Sequence, residues 1–309
     1  MAEIILACVQ AVLLVLAAPL VSGTARWMRA KMQTRRGPSI LQDYYDIIKL
    51  LKRQDLHTKD SSFIHRLMPP LFFGTLMVVS MGMPTLTRFC PIPLLGDIIL
   101  VIYMLALPRF FFALSAVDSG SAYAGTGGIR ELLIGVLVEP AMMLALFVVA
   151  LATGTTNIGG MGEIIGSLSM SSPVAVIVAG VAFACSSYIE LGKLPFDLAE
   201  AEQELQEGPL SEYSGPSLAM AKMALSMKQI IVVSWLIAIF IPFGSATEMT
   251  LPALAIGAVV YVAKMGIIFF ICSIIENVVS RVRYKLLGHQ TWAVVGIAAF
   301  AFVFCVLGL

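Results

Sequence analysis

The sequence predicts an all-α integral membrane protein: about eight transmembrane helices, with an amphipathic interfacial helix in the first cytoplasmic loop. Three observations carry this. Hydrophobic residues make up 59% of the 309-residue chain and charged residues only 13%, against about a quarter charged in a soluble domain. The apolar residues gather in runs close to the roughly 20 that cross a bilayer as a helix. Basic residues collect in alternate connections, as the positive-inside rule expects of a multi-pass chain. A formal charge of +1 gives no ground for a nucleic-acid partner.

The expected spans are 3–24, 68–87, 96–117, 130–153, 173–193, 227–245, 251–275 and 290–308, within one membrane domain covering 1–309. The first begins with Glu3 rather than a basic stretch, so it reads as a retained helix and not a signal peptide. A basic loop, 25–67, follows with ten Lys and Arg. Inside it Ile40, Tyr44, Ile47, Ile48 and Leu51 recur at helical spacing, with Asp43, Asp46, Lys49 and Lys52 between them. That pattern describes a helix lying on the membrane surface, started by the Gly37-Pro38-Ser39 turn.

Lys193, Lys222 and Lys228 lie between spans five and six, and Arg281, Arg283 and Lys285 between seven and eight. The other side carries one basic residue, Arg88. Odd-numbered loops are therefore expected to be cytoplasmic and both termini periplasmic. No repeat of 20–50 residues and no matched pair of broken helices is visible, which argues against a stand-alone transporter built from inverted repeats.

The acidic loop, 194–226, is unusual. Asp197, Glu200, Glu202, Glu204, Glu207 and Glu212 follow one another with no Lys or Arg among them, interleaved with Leu198, Leu205, Pro209 and Leu210. The composition suits a partly buried folded loop. In a helix Glu200 and Glu204 would share a face, with Glu202 on the other. Crowded, half-buried carboxylates repel one another and hold protons near neutral pH.

Ionisable residues inside the spans are few, and each costs roughly 2.5–3.5 kcal/mol on insertion scales. Glu139 stands out because Pro140 follows it, removing a backbone hydrogen bond and freeing the carbonyl of Val136. Lys264 is a candidate partner for it. Glu190 and Glu276 fall near cytoplasmic ends, and Arg109, beside Pro108, reads as structural. The five cysteines are scattered, with no CxxC and no histidine at ligand spacing, so neither a metal site nor a disulfide framework is expected.

Gln33-Thr34-Arg35-Arg36-Gly37-Pro38 followed by Gln42, Asp46 and Lys49-Leu50 resembles a segment of the complex I subunit 1 family. Gly128-Ile129-Arg130 with Glu139 resembles that family's helix bearing an intramembrane glutamate, and Glu190 to Leu205, ending in Glu212-Tyr213-Ser214-Gly215, is similar to its most recognisable stretch. Leu191-Gly192-Lys193 and Ala199 depart from the respiratory, quinone-reducing members. The Arg109-to-Ser115 and Glu204-to-Gly215 runs look instead like the membrane subunits of formate hydrogenlyase and hydrogenase 4, within the group 4 membrane-bound nickel–iron hydrogenases.

The resemblance implies a non-catalytic subunit of a redox enzyme complex in the bacterial inner membrane. It would anchor a nickel–iron hydrogenase large subunit and an iron–sulfur small subunit and join them to antiporter-like membrane subunits. The nickel–iron centre and iron–sulfur clusters would belong to those partners, with no cofactor bound by this chain. Glu139, Glu190, Glu200, Glu202, Glu204, Glu212 and Lys264 would be the proton-transfer candidates, and Arg35, Arg36 and Asp197 would sit where the arm docks. A respiratory-type subunit forming part of a quinone chamber is the alternative, put in doubt by the residues around Lys193.

Overall fold

The computed structural model describes residues 1–58 and 61–309. Its helices, in chain order, are α1 (Ala2–Met32), α2 (Gln42–Leu51), α3 (Phe63–Gly82), α4 (Ile98–Asp118), α5 (Ala122–Thr153), α6 (Ile158–Gly166), α7 (Pro173–Glu190), α8 (Glu202–Leu205), α9 (Gly215–Phe240), α10 (Leu251–Val278) and α11 (Leu287–Val306). Among the described residues, all but α2, α6 and α8 are long and apolar enough to cross a membrane, giving eight spans. The chain is a multi-pass membrane protein.

Local chemistry sets the helix ends. Ser62, Asp97 and Asn157 cap α3, α4 and α6 by accepting backbone N–H groups of the first turn. Proline stands in the opening turn of α7, α9 and α10, where its missing donor costs nothing. Left-handed Gly154 closes α5. Helix α9 is the most buried span, with Trp235 edge-to-face against Phe183 of α7 at 5.4 Å. Helices α10 and α11 are the least buried.

The connections alternate between two ends. At one, called here the loop end, Leu56 N donates to Ser214 Oγ at 2.8 Å, the Ser62 hydroxyl to Asp118 at 2.9 Å and Val282 N to Pro195 O at 3.0 Å. At the far end Arg88 N donates to Ala246 O at 2.8 Å and Ile98 N to Thr156 O at 3.0 Å. The surface helix α2 belongs to the loop end. Its Tyr45, Ile48 and Leu51 are exposed, while Asp43 turns inward to pair with Arg26 of α1.

Several helices outrun the apolar runs. Helix α1 continues to Met32 through Arg26, Arg29 and Lys31, α5 begins at Ala122 and α9 at Gly215. Hydropathy stops at a charge, but backbone hydrogen bonding does not, and Lys, Arg, Ala and Met are all good helix formers. Glu131 and Lys228 therefore lie within helices rather than at loop edges.

The acidic segment is folded but hardly helical. Gln206, Glu207 and Gly208 take left-handed φ values of 50°, 69° and 54°, which ends α8 after a single turn and leads into a 3-10 turn over Gly208–Glu212. Leu198, Ala199, Leu205 and Leu210 are buried beneath it. The segment rests on α5 at Gly127, where a Cβ would come within 2.8 Å of Ala199 O. Glu200 precedes α8, so the expected shared helical face with Glu204 does not form.

Candidate functional site

Five charged side chains from four helices meet within the bundle. Arg109, near the middle of α4, is buried and bonds through one guanidinium nitrogen to Glu139 of α5 and through the other to Glu190 at the end of α7. The same Glu190 oxygen lies 2.9 Å from Lys228 Nζ of α9, and Lys228 reaches Glu131 of α5 at 3.1 Å. The series is Glu139, Arg109, Glu190, Lys228, Glu131, with signs alternating at every step. A Cβ on Gly135 of α5 would fall 2.3 Å from Arg109 Nη1, so only glycine leaves room for the guanidinium beside that helix. Alternation is what makes the cluster tolerable. An isolated ion in so dry a place is prohibitive, whereas a chain of pairs roughly offsets its own desolvation.

Two small voids flank the guanidinium. One is lined by Arg109, Glu131 and Lys228 together with Phe72 and Phe112, the other by Arg109, Glu139 and Glu190 together with Met142 and Trp235. Each is on the order of a single water in size. Carboxylates one hydrogen bond or one water apart can exchange a proton.

Toward the loop end lies Glu200, near enough to Glu131 and Lys228 for their charges to act on it. Burial, above all, pushes this carboxyl up to about 7; the carboxylates of Asp197, Glu131 and Glu207 push the same way, and Lys228 opposes them. Its neighbour Glu204 is different. It is exposed, and the hydrogen bond from Arg130 at 2.8 Å, reinforced by that residue's charge, holds it below the usual carboxylate range. Arg130 also donates to Leu198 O at 3.3 Å and stacks over Tyr284. Asp197 pairs with Arg281 at 2.7 Å. These two arginines hold the acidic segment against α5 and the α10–α11 connection.

Of the residues singled out from sequence, Glu139 and Glu190 are brought together on Arg109, with Glu200 nearby toward the loop end. Glu204 lies at its surface edge, Glu212 is half-buried at the close of the 3-10 turn, and the Glu202 side chain falls outside the described residues. Arg35 and Arg36 occupy the exposed turn after α1. Lys264 is not the partner of Glu139: its ammonium donates to Ile241 O at 2.6 Å, at the C-terminal end of α9, where a cation complements the helix dipole. Arg109 fills the place expected for Lys264. Glu276, near the loop end of α10, is buried, 3.6 Å from Arg29 and 3.5 Å from Lys193.

Glu131 and Lys228 escaped the sequence reading because both sit where an apolar run meets its charged border. One signal was present: residues 218–227 are rich in Ala, Leu and Met and contain no Gly, Pro, Asn or Asp, so the helix had no reason to begin at 227. Among the described residues no group of three or more His, Cys, Asp or Glu is placed to hold a metal ion.

The profile of a family described as NADH dehydrogenase matches residues 4–307. The chain is 46% identical over 306 residues to hydrogenase-4 component C of Escherichia coli (strain K12), covering 99% of this chain and 97% of that protein. It is 41% identical over 295 residues to formate hydrogenlyase subunit 4 of the same organism, covering 96% of each. Among solved structures it is similar to a chain of the membrane-bound sulfane sulfur reductase, an archaeal respiratory membrane complex, with a TM-score of 0.86 at 21% identity, covering 99% of this chain and 100% of that one.

Proposed function

The chain belongs to the NADH dehydrogenase family, and from that premise we propose that it is the membrane-anchor subunit of a formate hydrogenlyase or hydrogenase 4-type complex. It docks a cytoplasmic nickel–iron hydrogenase arm onto antiporter-like membrane subunits and supplies the mouth of a proton path for redox-coupled ion translocation. Its relatives' names carry the assignment to a hydrogenase complex. One observation supports the proton path: the alternating series from Glu131 to Glu139, buried at Arg109 and Glu190 and partly exposed at both ends, with a carboxyl nearby at Glu200 that burial pushes up to about 7.

In this reading Glu200 takes up a proton at the cytoplasmic surface. Glu131, Glu190 and Glu139 pass charge inward, and Arg109 and Lys228 keep the intervening carboxylates ionised until a proton arrives. The exposed Arg35-Arg36 turn and the Asp197 region face the arm. Electron chemistry, with its nickel–iron centre and iron–sulfur clusters, resides in the partner subunits.

The test uses the whole complex with Glu139→Gln or Glu200→Gln. Assembly should persist while proton translocation, or hydrogen output coupled to it, falls at least about tenfold. Variants that assemble and translocate like the parent would refute the path. Indifference to quinone-site inhibitors separates this reading from a quinone chamber.

A further inference from the structure

Two cations take no part in the buried series and sit away from the loop end. Arg88 is the one basic residue in the connections of the far end, and Lys264 is the one ammonium of α10, in its middle, with mostly apolar residues on either side. Neither is explained by topology, since the far end is where basic residues are scarce.

The fold brings them together. Arg88 is fixed by its neighbours: Arg88 N donates to Ala246 O at 2.8 Å and Ala246 N to Leu86 O at 3.1 Å. Its guanidinium lies over the C-terminal end of α6, with Cζ 3.7 Å from where a Cβ on Gly166 would be and Pro242 Cγ 3.4 Å from the same point. Lys264 Nζ reaches Ile241 O, the residue before Pro242, at 2.6 Å. Both cations thus converge on Ile241–Pro242, close enough to repel each other.

The ends of α6 and α9 offset only part of this charge, because a helix terminus carries about half an elementary charge. Arg88 Nε is buried without an acceptor. Among the described residues neither cation is in an ion pair, and the carboxylates of the same elements, Glu163 of α6 and Glu248 of the α9–α10 connection, are exposed. Two like charges beside the bilayer, neither of them in an ion pair, favour a counter-anion. Beyond Lys264 the same face of α10 exposes Ile267 and Ile271, an apolar track leading from the pair into the bilayer.

We propose that Arg88 and Lys264 form a binding site for the phosphate of an anionic phospholipid in the leaflet at the far end, with its acyl chains along α10 around Ile267 and Ile271. The site ties α6, α9 and α10 together from outside the protein. Basic pockets between transmembrane helices hold lipid phosphates by the same electrostatics.

The experiment is native mass spectrometry of the full chain released from micelles containing phosphatidylglycerol, phosphatidylcholine or inorganic phosphate alone. Phosphatidylglycerol should be retained in preference to phosphatidylcholine. Arg88→Gln and Lys264→Gln should each weaken retention about fivefold, and Arg88→Lys should keep it. Because Lys264→Gln also removes the donor to Ile241 O, the Arg88→Gln and Arg88→Lys pair decides the matter. Equal retention of the two lipids, or undiminished retention by Arg88→Gln, overturns the site; occupancy by inorganic phosphate alone overturns its assignment to a lipid.

Discussion

Glu190 is the residue on which the buried series turns, because one of its oxygens serves both Arg109 and Lys228. Glu139 serves only Arg109 and is the more exposed of the two. Their neutral variants should therefore differ. Glu190→Gln takes one partner from Arg109, which keeps Glu139, and one from Lys228, which keeps Glu131, so two charged hydrogen bonds are lost, about 3–6 kcal/mol. Glu139→Gln leaves Arg109 still bound to Glu190, so the loss is that of one charged hydrogen bond, about 1–3 kcal/mol. Denaturant titration of both purified variants in micelles measures the difference. Equal losses would mean that Glu190 is not shared. Arg109 teaches the same lesson from the opposite side. Sequence marks it as a costly intramembrane charge but gives no means of choosing its partner, since Glu139 and Glu190 come from helices far apart in the chain.

At the scale of the element, the acidic segment joins residue chemistry to the fold. Its seat depends on Gly127 and on the clamps from Arg130 and Arg281, while Glu200 beneath it prefers to be protonated. The folded pKa of about 7 lies above the ordinary value of 4.5. The stability that protonation lends is therefore fully present below about 4.5 and is lost as the pH rises through about 7. Backbone amides of 197–213, followed by hydrogen exchange after correction for the intrinsic rate, should become less protected across that window. Glu200→Gln should abolish the dependence; if the step survives in the variant, another group is titrating. Much of this element was legible in sequence: the density of acids, the interleaved Leu and Pro, and the expectation of a partly buried loop all correspond to what forms. Its backbone was not. Three successive left-handed residues, two of them not glycine, are held by tertiary contacts that no local propensity announces. The spans show the same division. Their number and order follow from apolar length, but the starts of α5 and α9 do not, because charges paired across helices allow a helix to run on where hydropathy stops.

For the whole molecule, the charge distribution makes a claim about orientation that the fold sharpens. Arg26, Arg29 and Lys31 lie on the last turns of α1, Lys49, Lys52 and Arg53 at the end of α2, and Arg281 and Arg283 in the α10–α11 connection, all at the loop end. Against them the far end has Arg88 alone among its connections. Both Met1 and Leu309 lie at the far end, because an even number of spans separates them. Basic residues near short loops stay on the cytoplasmic side, so alkaline phosphatase fused after Leu309 should be active outside the cytoplasm and a fluorescent protein fused there dark. The same reporters inserted between residues 191 and 214 should give the opposite result. The insertion serves a second purpose, since this is the surface to which Glu200 opens: a proton drawn from the cytoplasm must pass it first. A bright fluorescent fusion at Leu309 would place Glu200 on the outer face, and the series from Glu131 to Glu139 would then carry protons from the wrong side for a cytoplasmic hydrogenase arm.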